Sequence, residues 1–91
     1  MELNEFREQI DAIDGELLRL FQERMGVSLK IAHYKKEHGL PVLDAAREQE
    51  KLTVICEKAD VDYRPYVHEL YIKIFELSRD YQESVIVLND K

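Results

Sequence analysis

The sequence predicts an all-α fold of three helices, the first of them long. Three observations carry that reading. Apolar residues recur at alternating steps of three and four through Leu3, Phe6, Ile10, Ile13, Leu17, Leu20, Val27, Ile31 and Tyr34, the spacing of one face of an amphipathic helix. Only 3 Gly and 2 Pro interrupt 91 residues, and 35% of the chain is charged, a composition common in helical bundles. The residues that punctuate the periodic segments fall in two places: Gly39 with Pro41 ends the first, and Asp62-Tyr-Arg-Pro65 opens the last. No segment sustains the alternation of a strand.

The first helix is expected over about 2–37. At about 1.5 Å per residue it makes a rod of roughly 50 Å, whereas a compact domain of this length has a radius of gyration of only about 12 Å. Two shorter helices from the same chain cannot bury such a rod along its length. The apolar stripe runs along most of it, so a homodimer with the long helices packed on one another is expected. Gly15 and Gly26 each cost about 1 kcal/mol relative to Ala inside a helix, and nothing in the pattern explains either. The second helix is expected over about 45–59, with Asp44 as its N-cap. The third is expected over about 65–83, with Pro65 in the first position, where a missing N–H costs nothing. Val85-Ile-Val-Leu88 is the one β-like run. It belongs to a short C-terminal tail that frays, extends the helix or packs on a neighbour.

Ninety-one residues make one small domain, taken here as 1–91 with nothing catalytic appended. The net charge of −6 argues against a nucleic-acid binder, which would present a basic face. The lone Cys56 excludes an internal disulfide and fits a reducing compartment. The polar N-terminus is no signal peptide, and no apolar run approaches the roughly 20 residues that span a bilayer. A cytoplasmic protein with no membrane partner is expected. His33, His38 and His68 show no metal-ligand spacing, so no metal site is expected.

Polar residues on apolar faces are the functional signal. Arg24 occupies the stripe position between Leu20 and Val27. A guanidinium does not lose its charge there, and a buried charge is costly unless paired. No acid occupies the next stripe position on either side. Either Arg24 reaches out to solvent, or the stripe opens around something anionic. Lys35 follows eleven residues later, almost three turns on and about 16 Å along the same face. The two long cations can grip one small anion between them, although Lys35 also reads as a surface lysine near a helix end. Arg7 lies about 25 Å before Arg24 along the rod, so it cannot serve the same pocket within one helix. It is either plain surface or, in an antiparallel dimer, part of the partner's pocket. On the third helix the stripe Val67, Leu70, Tyr71, Ile74 continues into Ser78 and Gln82, whose polar groups need partners if buried. Asp44, Arg47 and Glu48 cluster at the start of the second helix. They read as a cap with a solvated turn, or as a set able to bind a hydroxyl and orient a cation.

Taken together, these residues resemble the all-helical chorismate mutases of the AroQ class over about residues 3–83. The resemblance rests on FREQIDAIDGELLRLFQERM, AHYKKEHGLPVLDAAREQEKL and IFELSRDYQ. Its most specific element is Lys35, Asp44, Arg47 and Glu48 in a K-x8-D-x-x-R-E spacing after the ERM segment. It implies an intertwined helical homodimer with two sites, no cofactor, and chorismate and prephenate as substrate and product. It further implies that Arg24 and the partner's Arg7 bind the two carboxylates, assisted by Ser78. Lys35 and Gln82 would donate to the ether oxygen. Glu48 and the Asp44 region would hold the ring hydroxyl, with Arg47 supporting that network.

The implied chemistry accounts for the residue types. An intramolecular Claisen rearrangement needs no nucleophile or proton shuttle. It needs a folded substrate and donors where charge grows. Arginine forks fix carboxylates bidentately, which selects the near-attack conformer. Donors aimed at the ether oxygen stabilise the transition state more than the ground state. The prephenate formed would feed phenylalanine and tyrosine biosynthesis. Two other readings compete. An isochorismate-pyruvate lyase shares the fold, but it usually loses the D-x-x-R-E pattern present here. A non-catalytic helical dimerisation module explains the stripe, but not Arg24, Ser78 and Gln82 on apolar faces.

Overall fold

The computed structural model describes residues 2–89 as three helices: α1 Glu2–Glu37, α2 Ala45–Lys58 and α3 Arg64–Asn89. The described residues contain no strand. At about 1.5 Å per residue, α1 accounts for the longest dimension of the molecule, which measures 55 × 28 × 14 Å. The radius of gyration is 16.5 Å, well above the value of about 12 Å for a compact chain of this length. The chain is an open frame in which α3 packs against both α1 and α2.

The two joints follow from local chemistry. Gly39 ends α1 in the left-handed region at φ 64°, where a side chain would be strained. Leu40 N reaches Lys35 O at 2.8 Å and Gly39 N reaches Lys36 O at 3.3 Å, the paired bonds of a Schellman stop. Asp44 caps α2, its Oδ1 accepting from Arg47 N at 3.0 Å. A turn through Val61, Asp62 and Tyr63 leads into α3. Pro65 is therefore its second residue, still inside the first turn, where the missing N–H leaves no helical bond unmade.

α3 continues beyond residue 83, where the sequence placed a tail, and runs to Asn89. No Gly or Pro stands after Pro65 to stop it. Val85 and Ile86 are half-buried, and of the outcomes open to this β-like run the helix extends, because β-branched character costs only a fraction of a kcal/mol per residue in a helix. The last two positions of the expected tail, 90 and 91, lie outside the described residues.

Among the described residues the buried apolar set is small: Ala32, Leu52 and Phe75. By contrast Leu3, Phe6, Ile10, Ile13 and Leu17 are each more than half exposed. The N-terminal half of α1 thus carries an apolar face that its own chain leaves open. Among the described residues no helix is long and apolar enough to cross a membrane.

Candidate active site

The buried polar groups lie on the facing sides of α1 and α3. Ser28, Ser78 and Gln82 are each at most 7% exposed. The two serine hydroxyls are 2.8 Å apart, and Gln82 Nε2 donates to Ser78 Oγ at 3.2 Å. Gln82 Oε1 is buried and has no partner among the described residues. A buried acceptor in that state costs about 1–3 kcal/mol, so a fold selected only for stability has little reason to keep an amide here.

This polar strip forms one wall of a cavity of roughly 590 Å³, a size suited to a small metabolite. α1 contributes Arg24, Ser28, Ile31 and Lys35, spaced so that they share one face. α3 contributes Phe75, Ser78, Arg79 and Gln82, and the start of α2 contributes Asp44, Arg47, Glu48 and Lys51. Arg24 is half-buried, and its guanidinium carbon stands 5.8 Å from the centroid of the Phe75 ring. That ring face gives it a partial counter-charge; no carboxylate pairs with it among the described residues. Lys35 sits in the last turn of α1 and donates from Nζ to Val42 O at 2.7 Å. That bond ties the α1–α2 joint to the cavity wall and leaves the ammonium two further hydrogens.

The electrostatics favour an anion. Arg24, Lys35, Arg47, Lys51 and Arg79 line the cavity against Glu23, Asp44 and Glu48, so a chain of net charge −6 carries a locally positive cleft. Each acid is already engaged: Glu23 by Arg19 at 3.1 Å, Asp44 by the backbone of Arg47, and Glu48 by Arg79. The Arg79 guanidinium is held above the ordinary arginine range chiefly by its hydrogen bond to Glu48, so it stays charged at any working pH.

Of the residues singled out in the sequence, Arg24, Lys35, Asp44, Arg47, Glu48, Ser78 and Gln82 all line this one cavity. Arg7 does not; it is exposed on the first turns of α1. The resemblance gives Arg47 a supporting role around Glu48, and the structure shows which groups each of the two meets. The Arg47 guanidinium pairs with Glu50 at 3.3 Å, both side chains being more than 60% exposed, because residues three apart on a solvated helix meet readily. The cation on Glu48 is Arg79, from the facing helix. Sequence reasoning missed Arg79 and Ser28, yet a periodic signal was present for both. Positions 75, 78, 79 and 82 trace one face of α3, and 24, 28, 31 and 35 trace one face of α1.

Comparison with known proteins shows what the chain is similar to. The family model for chorismate mutase type II matches residues 6–83. The chorismate mutase of Methanocaldococcus jannaschii is 29% identical over 86 residues, covering 91% of this chain and 82% of that one. The bifunctional chorismate mutase/prephenate dehydratase of Buchnera aphidicola is 36% identical over 74 residues, which cover 78% of this chain and only 20% of that longer protein. The 4-amino-4-deoxychorismate mutase of Streptomyces venezuelae is 39% identical over 46 residues, half of this chain and 45% of that one.

Proposed function

This chain belongs to the chorismate mutase type II family and is an isomerase of that kind; we propose that the cleft between α1, α2 and α3 is where chorismate rearranges to prephenate. The observation that carries this reading is the convergence of Arg24, Lys35, Glu48 and Gln82 on one cavity of roughly 590 Å³. In the proposed site Arg24 grips a substrate carboxylate, with Ser78 assisting. Lys35 is already fixed through Val42, so it pays little further ordering entropy to donate to the ether oxygen. Gln82 donates from the other side. Its amide can turn so that Oε1 accepts from the Ser78 hydroxyl, which frees both N–H groups. Glu48 accepts from the ring hydroxyl beside the Asp44 turn. The carbon–oxygen bond breaks as the new carbon–carbon bond forms, and the cations meet the charge that gathers on oxygen.

A second carboxylate on the substrate needs a second cation, and the open apolar face of α1 supplies the route to one. We propose a homodimer in which that face is covered by the partner's α1 and the partner's Arg7 reaches this cleft. The product would serve phenylalanine and tyrosine biosynthesis in the cytoplasm.

The test is to incubate purified protein with chorismate and identify the product. Prephenate is expected. No turnover would overturn the reading, and pyruvate released from isochorismate instead would select the lyase. A second experiment probes Gln82. Gln82→Glu is expected to lose about 10²-fold or more in kcat near neutral pH, the scale of a lost donor at comparable sites. A carboxylate there opposes the growing charge, whereas the protonated acid donates. Burial raises a carboxyl pKa, so activity should rise steadily as pH falls, while the wild-type profile stays flat in that range. A flat profile for the variant would remove Gln82 from the reacting atoms.

The Streptomyces relative raises a second substrate with the same skeleton, in which an amine replaces the ring hydroxyl. The two candidates differ at the group proposed to meet Glu48.

A further inference from the structure

Several ion pairs among the described residues are exposed and stay within one helix, as for Arg19 with Glu16 and Glu23, Arg47 with Glu50, and Lys73 with Glu76. Glu48 with Arg79 is different. It joins α2 to α3, both side chains are less than one-third exposed, and both line the cavity. A bridge of this kind is poor evidence of added stability, because desolvation offsets much of the attraction. What it does fix is the direction and net charge of the Glu48 carboxylate.

That charge matters for recognition. A lone carboxylate beside the ring substituent would draw an ammonium in preference to a hydroxyl. A carboxylate already neutralised by a guanidinium still has lone pairs for a hydroxyl proton, but an ammonium brought there would face the guanidinium as well. The other charged groups at this end of the cavity do not reverse the balance. Asp44 is spent on the α2 cap, Arg47 is turned to Glu50, and Lys51 adds positive charge one turn from Glu48.

We propose that Arg79 is a positioning and specificity-determining residue, which aims Glu48 and neutralises it so that the cleft takes a hydroxyl-bearing substrate and rejects its ammonium-bearing analogue. The inference rests on the cleft being the chorismate site. It predicts a change in the ratio of kcat/KM for chorismate to that for 4-amino-4-deoxychorismate, measured on each purified variant. The ratio cancels any loss of active protein, so an unstable variant still gives an answer.

The wild type is expected to favour chorismate. Arg79→Met should raise KM for chorismate more than it lowers kcat, and should shift the ratio toward the amine by about tenfold, the scale of one partly screened charge pair. Arg79→Gln, which keeps a hydrogen-bonding head in place of the charge, should shift it the same way. Arg79→Lys restores the charge and should return the ratio close to wild type. Equal losses on both substrates, an unchanged ratio, or a wild type that prefers the amine would each overturn the proposal while leaving the site intact. A wild type that converts neither substrate would overturn the site itself, and this inference with it.

Discussion

Replacing Arg24 with alanine is expected to lower kcat/KM for chorismate by about 10³-fold while changing the stability of the fold by no more than about 1 kcal/mol. The two halves of that expectation have separate causes. Arg24 stands in an apolar stripe, half-buried; its one described aromatic contact is the face of Phe75 at 5.8 Å. Among the described residues no carboxylate would be stranded by its loss. The fold therefore gives up a weak cation–π contact and gains an easier desolvation. Catalysis gives up a bidentate grip on a carboxylate, and with it the conformer in which the reacting carbons approach. Steady-state kinetics on the variant, beside its thermal unfolding curve, check both halves. A variant with near-normal kcat/KM would mean that Arg24 points to solvent and that the cleft is not the site. A variant that unfolds would make Arg24 a structural cation.

The contrast with Arg79 shows what the sequence made legible. Arg24 stands out because a charge interrupts a run of apolar residues, and that interruption is visible along one helix. The long α1, its stop at Gly39 and the Asp44 cap on α2 are legible for the same reason. Each depends on neighbours within a few residues. Arg79 depends on a neighbour 31 residues away, across an interhelical distance set by how α2 and α3 pack, and it reads in isolation as an ordinary charge beside Ser78. Ser28 is hidden in the same way, since its hydroxyl partner lies 50 residues on. The D-x-x-R-E spacing marked the turn of α2 that lines the cavity, but not the cation that meets Glu48. Spacing shows that Arg47 is near Glu48, not which way each side chain leaves the helix. The C-terminal boundary is open in the sequence for another reason. The β-like run at Val85 and Ile86 allows fraying, packing on a neighbour or extension of the helix, and a helix already propagating with no breaker ahead continues at small cost.

Mixing two inactive variants is expected to create activity, and this is the largest gain predicted here. Arg7 is exposed and absent from the cavity of its own chain, so Arg7→Ala cannot act there by local contact. If the partner's Arg7 completes the cleft, each Arg7→Ala and each Arg24→Ala homodimer lacks one cation in both of its sites and is expected to fall by about 10²-fold or more. In a heterodimer the two lesions collect in one site. The site built on the Arg7→Ala chain keeps its own Arg24 and receives an intact Arg7 from its partner. Random exchange makes about half the dimers mixed, each with one good site, so about a quarter of wild-type kcat should return. The open face of α1 supplies the driving force for exchange and reassembly, because Phe6 and Ile10 on either side of Arg7 are more than half exposed in the single chain and gain most from a second copy. Activity should appear on the timescale of subunit exchange and rise no further once exchange is complete. Full exchange without recovery, verified by mass-tagged subunits, would place Arg7 outside the partner's cleft and leave the second carboxylate to Arg47, Lys51 or Arg79 of the same chain.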